Sequence, residues 1–263
     1  MKLAFIAAAA LAVATPAFAA TTTFSDSAML LSNYTITTHV PSSAFTTDVV
    51  QAPQGQNDDS SLGTIYIATG STTPTPRFRA LGVDYTYDPS ALGAISTIDA
   101  SLDQLVALFY NGPRLDTGTS NLQIRLLAQQ DGQLYRTRVV TDVFATPEVW
   151  KSTSVAGLTS ADFLKLDPND PFATASGTGL DFAGSVIRFG FEIAPFGVQL
   201  IGGGPSTGTT VSYHFVDNLK ITLNTRDPGA PVGGVPEPST WAMMILGFGL
   251  AGTVVRRRRM ALA

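Results

Sequence analysis

Apolar and polar residues alternate with a period of two along most of this chain, and long stretches with a helical period are missing. Successive side chains on a strand point to opposite faces, so this pattern predicts strands with one face buried. Strands are expected within Phe24–Val40, over Leu62–Ala68 and over Leu81–Tyr87, where Leu81, Val83, Tyr85 and Tyr87 would share one face. Ile95–Tyr110 is apolar with a less regular period and reads mostly as strand, whereas Gln51–Ser61, rich in Gln, Asn and Asp, reads as a loop. The clearest hairpin is Leu122–Thr141, with Asp131-Gly132 as its two-residue turn. Pairing outward from that turn sets Ala128 opposite Tyr135 and Ile124 opposite Val139. Leu122, Ile124, Leu126 and Ala128 then face the core, and Arg125, Arg136 and Arg138 fall together on the other face. Solvent is the expected neighbour of those arginines, because outward positions of half-buried sheets are commonly charged. An anion or uronate contact is the functional alternative.

The second half continues in the same way. Leu158–Phe163 reads as a capped single helical turn. Asp167–Pro171 is a tight loop that lacks the glycine and terminal glutamate of an EF-hand. Val186–Ile193 alternates cleanly, with Ile187, Phe189, Phe191 and Ile193 inward, and Gly202–Pro205 is a loop. In the last strand Val211, Tyr213, Phe215, Asp217, Leu219, Ile221 and Leu223 share parity, and most residues between them are polar. Asp217 would then sit in an apolar face, where a carboxylate needs a hydrogen bond, an ion pair or a metal. A β-bulge near Asp217-Asn218 would instead turn it outward. Together these elements predict an all-β fold, a two-sheet antiparallel β-sandwich over residues 20–225.

Composition narrows the setting. Cysteine is absent, so neither disulfides nor thiolate chemistry is available. Setting aside Lys2, Glu237 and the four tail arginines leaves 11 basic and 19 acidic residues, a net charge of −8. Such a body is a poor partner for nucleic acid. All its acids are aspartate except Glu148 and Glu192, which favours turns and hard-cation sites over helices.

The two ends read as addresses. Lys2, the apolar Leu3–Ala14 and the small-x-small step Ala17-Phe18-Ala19 make a signal peptide over 1–19. At the other end a Gly/Pro-rich linker, 226–234, leads to Pro236-Glu237-Pro238, then to the uncharged run Trp241–Val255, then to Arg256, Arg257, Arg258 and Arg259. The run has 15 residues. As a helix it spans about 22 Å, short of the roughly 30 Å hydrocarbon core. Trp241 and snorkelling arginines extend it, and the basic block stays in the cytoplasm. A transmembrane sorting helix is therefore expected at 241–255.

Pro236, Glu237, Pro238, Ser239, Thr240, Trp241 and Ala242, followed by the apolar run and Arg256–Arg259, resemble the PEP-CTERM sorting signal in its PEPxxWA form. The resemblance implies a Gram-negative bacterium and an exosortase-type membrane enzyme that cuts near the PEP step. It also implies a transient inner-membrane intermediate, and a cell-surface or matrix destination tied to exopolysaccharide and biofilm. A second resemblance covers parts of the body. Val216–Ile221, Phe24-Ser25-Asp26, Trp150 with Leu158 and Asp162-Phe163, and Ile187–Phe191 are similar to jelly-roll carbohydrate-binding and lectin-like domains. Many of those hold a structural calcium between first and last strands, which makes Asp217 and Asp26 candidate ligands. A purely hydrogen-bonding role is the alternative.

Catalytic motifs are missing. His39 and His214 are far apart in sequence, and there is no Gly-x-Ser-x-Gly elbow, His-Glu-x-x-His or P-loop. Glu192 has no second acid beside it on its strand, unlike a laminarinase-type hydrolase. The expectation is a non-enzymatic exported protein with a glycan-binding-like sandwich and extracellular polysaccharide as its partner. A structural matrix protein without a ligand is the alternative, ahead of a glycoside-active enzyme. An ice-binding surface would need regularly spaced threonines, and Thr21–Thr23 and Thr72–Thr75 cluster instead. Tyr66, Tyr110 and Trp150 are candidate sugar-stacking aromatics.

Overall fold

The computed structural model describes residues 20–226, apart from 41–44, 54, 56–59, 70–75, 111–117, 138–140, 146–148, 171, 175–178 and 201–208. They lie within one compact unit, Ala19–Pro228. In chain order the strands are β1 (Ala20–Asp26), β2 (Tyr34–His39), β3 (Phe45–Ala52), β4 (Ser61–Thr69), β5 (Arg77–Tyr87), β6 (Ile95–Tyr110), β7 (Gly118–Gln130) and β8 (Gln133–Thr137). There follow β9 (Thr141–Ala145), β10 (Lys151–Leu158), β11 (Phe163–Lys165), β12 (Ile187–Leu200) and β13 (Thr209–Thr225). They form two sheets, all of whose pairs are antiparallel. The first runs β10-β6-β13-β4-β3, with β1 also on β13. The second runs β11-β8-β7-β12-β5-β2, with β9 also on β7. In the first sheet β13 keeps β6 on one side throughout. On its other side it meets β4 along Thr209–Val216 and β1 along Leu219–Thr225.

The inner faces meet in one core. Ile98, Leu102, Val106, Val216, Leu219, Ile221 and Leu223 from the first sheet join Phe78, Ile124, Leu126, Phe189, Phe191 and Ile193 from the second. Each such fully buried side chain contributes roughly 1.5–3 kcal/mol. Aromatic rings cross between the layers: Phe24 of β1 stacks on Tyr85 of β5 at 5.3 Å and lies 6.2 Å from Phe189 of β12. His214 is also fully buried, and burial pushes its imidazole down to about 3, so it is neutral in the fold.

Most expected elements are present. Ile95–Tyr110 is one strand, and Ser160–Asp162 is a single 3-10 turn held by a Thr159/Asp162 capping box. Asp131 and Gly132 both have positive φ, 50° and 76°, as a type I′ hairpin turn requires. Ile187, Phe189, Phe191 and Ile193 are all inward and buried.

Three expectations are corrected, and register shifts are the reason in two of them. Ala128 does face Tyr135, but Ile124 pairs with Thr141 and not with Val139. The chain passes from β8 to β9 between those two pairs, and Val139 lies outside the described residues. In β5 the ladder with β12 slips between Arg188 and Gly190. Tyr85 and Tyr87 therefore join the core, Val83 is 47% exposed, and Leu81 turns to the outer side, where it packs with Leu127 and Leu166. In β13 the ladder slips between Asp217 and Lys220, and Asn218 adopts φ 51°. The inward row is Ser212, His214 and Val216 before this bulge, and Leu219, Ile221 and Leu223 after it. The single stripe from Val211 to Leu223 does not exist. Among the described residues no helix is long and apolar enough to cross a membrane, and residues 241–255 lie outside them.

Gly190 is needed where β12 pairs with Leu81 and Leu127. A Cβ there would collide with the Ala80 carbonyl oxygen and sit 2.8 Å from Leu81 Cα. Gly190→Ala should therefore destabilise the domain by about 3 kcal/mol, since a backbone clash cannot be relieved by a rotamer change. Chemical denaturation of the two proteins reads this directly; equal midpoints would contradict it.

Candidate functional site

The bulge in β13 divides the outer face of the first sheet into an aromatic half and a polar half. On the N-terminal side of the bulge Tyr213 and Phe215 point outward, half-buried, with rings parallel to within 8° and centroids 6.3 Å apart. Their strand neighbours Ile65, Ile67, Leu105 and Val211 are also half-buried. Phe215 lies against Gly63, where a Cβ would come within 2.5 Å of its ring. Both rings were expected in the core; the parity change puts them outside.

On the other side of the bulge lies a groove of about 390 Å³ lined by Ser25, Ser101, Asp103, Ser152, Asn218 and Lys220, among others. It shares Ser101 and Lys220 with a neighbouring groove of about 300 Å³ that reaches Asp99, Ser154 and Thr222. Hydrogen bonds order its polar groups. Asn218 Nδ2 donates to Asp103 Oδ2 at 2.8 Å, and Ser152 Oγ donates to Asp103 Oδ1. Asn224 Nδ2 donates to Asp99 Oδ2 at 3.0 Å, and the Gly157 amide donates to Asp99 Oδ1 at 2.7 Å. Carboxylate, amide and hydroxyl groups in fixed positions beside an aromatic pair are the elements of a polar, orientation-specific binding site. Trp150 is half-buried just before edge strand β10. The side chains of Tyr66 and Tyr110 lie outside the described ones.

Asp217 is fully buried and pairs with Asp103 in the register of Phe215, that is, away from the core face. Its Oδ1 accepts from the Asn218 amide at 2.7 Å, closing the bulge on itself. Asp26 is the hub of the loop between β1 and β2. Its Oδ1 accepts from the amides of Ala28 at 3.1 Å and Met29 at 2.8 Å. Its Oδ2 accepts from Asn33 Nδ2 at 2.8 Å and the Tyr34 hydroxyl at 3.1 Å. Burial first, then Tyr85 and Asp26, hold that phenol far above its usual range. With two donors on each oxygen, the Asp26 carboxylate does not fit a calcium ion. Among the described residues no group of three or more His, Cys, Asp or Glu is placed to hold a metal.

The outer face of the second sheet holds a buried ion cluster. Glu192 of β12 pairs in register with Arg125 of β7 and Arg79 of β5. Arg79 Nε donates to its Oε2 at 2.7 Å; Arg125 Nη1 and Arg136 Nη1 donate to its Oε1 at 3.3 and 3.1 Å. Arg136 also donates to the Phe172 carbonyl at 3.1 Å, and Arg125 to Gln123 Oε1 at 2.6 Å. The expectation of solvated arginines is corrected here: Arg125 and Arg136 are 8% and 7% exposed, and Arg138 lies outside the described residues. Burial alone would raise the Glu192 carboxyl, but Arg136 and then Arg79 outweigh it and hold it below the usual range. His39 Nε2 lies 3.2 Å from Arg79 Nη1, and burial, then Arg79, pushes its imidazole down. The sequence did carry a signal for this cluster. Glu192 has outward parity between Phe191 and Ile193, and an outward acid on a buried strand calls for basic partners on its neighbours.

The chain compares with known proteins as follows. Residues 234–259 match the family described as the PEP-CTERM protein-sorting motif. Among solved structures the chain is similar to the CBM22-1 xylan-binding domain of Paenibacillus barcinonensis Xyn10C, at 11% identity and a TM-score of 0.36, over 77% of this chain and 94% of that one. It is similar to the C-terminal family 22 carbohydrate-binding module of Clostridium thermocellum Xyn10B, at 9% identity and a TM-score of 0.36, over 79% and 96%. It is also similar to TmCBM61, solved with β-1,4-galactotriose, at 9% identity and a TM-score of 0.29, over 73% and 90%. No curated protein matches the chain. The chain thus carries a PEP-CTERM sorting motif behind a two-sheet β-sandwich.

Removing one partner of a buried charge network leaves the others uncompensated. Glu192→Gln should therefore cost about 3 kcal/mol at neutral pH. A depressed carboxyl contributes stability above its unfolded pKa that is lost as pH falls through the folded value. The wild-type advantage over Glu192→Gln should shrink below the ordinary carboxylate range, and urea melts of both proteins from pH 7 to pH 3 measure it. A constant gap would refute the assignment.

Proposed function

We propose that this protein is an exported, non-enzymatic carbohydrate-binding module, delivered by its PEP-CTERM signal and released by an exosortase-type enzyme. The order of Pro236-Glu237-Pro238, Trp241-Ala242, an apolar run and Arg256–Arg259 supports the delivery half of this reading. The single observation that carries the binding half is the Tyr213/Phe215 pair, set in line with the Asp103/Asn218 groove on one sheet face. Sugars offer apolar C–H faces to parallel aromatic rings and hydroxyls to carboxylates and amides. A neutral polysaccharide lying along β13 would use both halves. Asp99, Asp103, Asn218 and Lys220 supply its hydrogen bonds, and calcium has no part in it.

On a panel of immobilised neutral polysaccharides, the wild-type chain should bind at least one, and Tyr213→Ala should weaken that binding about tenfold at unchanged melting temperature. Binding that survives Tyr213→Ala and Asp103→Ala alike would sink the groove assignment. A chain that binds nothing on the panel would favour a structural matrix role.

For delivery, the bacterium producing the wild-type protein should yield surface material lacking Arg256–Arg259. The Glu237→Ala form should accumulate uncut in the inner membrane. Intact-mass measurement of protein recovered from each fraction decides this. A surface protein that still carries its arginine tail would replace sorting by simple anchoring.

A further inference from the structure

The ion cluster on the second sheet has more positive charge than its one described buried carboxylate balances. Arg77 joins Arg79, Arg125 and Arg136 around Glu192, and the four guanidiniums act on one another as well as on that acid. Donors are also left over. Arg77 Nε and Nη1 and Arg125 Nε are buried and have no hydrogen-bond partner among the described residues. A buried donor without a partner is costly, and more so when it is charged. Burial, then the neighbouring Arg125 and Arg136, pulls Arg77 down to about 10.

The register places the residues that carry these donors. Arg77 is one residue beyond the Phe78–Ile193 pair, beside Ala194, and Ala194 pairs with Gln123. Ala194 carries only a methyl group and is fully buried under its surroundings. Among the described side chains the cluster's surroundings are His39 from β2, Arg77 and Arg79 from β5, Glu192 from β12, Arg125 from β7 and Arg136 from β8. In the segment after β11, Asp167 and Asp170 use Oδ1 for the amides of Asn169 and Phe172. Asp142 of β9 occupies the register position next to Gln123.

We propose that Arg77 and Arg125 bind one oxyanion of carboxylate or sulfate type at this cluster, borne by an acidic sugar or free in solution. It supplies acceptors for donors that have none among the described residues and offsets the positive charge of the described cluster. The site is on the opposite sheet from the proposed sugar groove and does not depend on it.

The test is a thermal melt of the full chain in detergent at fixed ionic strength. Sodium chloride is replaced stepwise by sodium sulfate or by sodium glucuronate, with glucose as a neutral control. Each oxyanion is expected to raise Tm saturably by about 3 °C over chloride, and glucose is expected to have no effect. Arg77→Gln removes two orphaned donors and one of the mutually repelling guanidiniums, so it should melt at or above wild type in chloride and lose the saturable rise. Any general salting-out effect of sulfate persists in that variant and is subtracted by it. A rise at lower glucuronate than sulfate concentration assigns the site to a sugar carboxylate; the reverse order assigns it to a free anion. A wild-type Tm that neither oxyanion raises, or an Arg77→Gln protein that keeps the full rise, overturns the proposal.

Discussion

Strand β13 runs for 17 residues through the middle of its sheet, and the extra residue at Asn218 decides what each half of it does. Inserting one residue in a ladder with period two exchanges the faces of everything beyond it. Here the exchange lets Val216 and Leu219, an odd number of residues apart, both reach the core. It also turns Tyr213 and Phe215 out and leaves Lys220, Thr222 and Asn224 on that same outer face. Asp217 holds the irregularity with a bond to the Asn218 amide, and Asn218 ties it to Asp103 on β6. The aromatic and polar halves of the groove are consequences of that one residue.

The second sheet meets a different constraint, because both its faces are covered in part. The inner face contributes to the main core. The outer face carries a small cluster of Leu81, Leu127 and Leu166 next to the Glu192 network. Glu192 has no exposed surface, so its charge depends wholly on the arginines of the two flanking strands and β8. Such a network is strongly coupled: its members are stable as a set, and any one of them alone would be expensive to bury. This coupling ties β5, β7, β8 and β12 together independently of the apolar core.

A domain without cysteine must hold its loops by other means. Asp26 does so between β1 and β2, where one carboxylate gathers two backbone amides, an asparagine and a tyrosine. Asp88, Asp162 and Asp181 repeat the device on a smaller scale, each accepting from an amide within three residues. These four aspartates thus serve loop construction.

By itself the sequence determined the all-β class, the Asp131-Gly132 hairpin, the inward row Ile187–Ile193 and the sorting motif. Each is a local property: a period, a turn requiring two positive φ values, or a contiguous order of residue types. Only the tertiary structure decided which residues form the candidate sites. Tyr213 and Phe215 could not be placed outside without knowing that the bulge at Asn218 resets the alternation. Arg125 and Arg136 read as solvated because their partner, Glu192, is distant in sequence and reaches them only through sheet pairing. Their burial also depends on the Phe172 segment, whose carbonyl Arg136 binds. Alternation reports the two faces of a strand but not the register between strands, and it does not reveal what lies over a face.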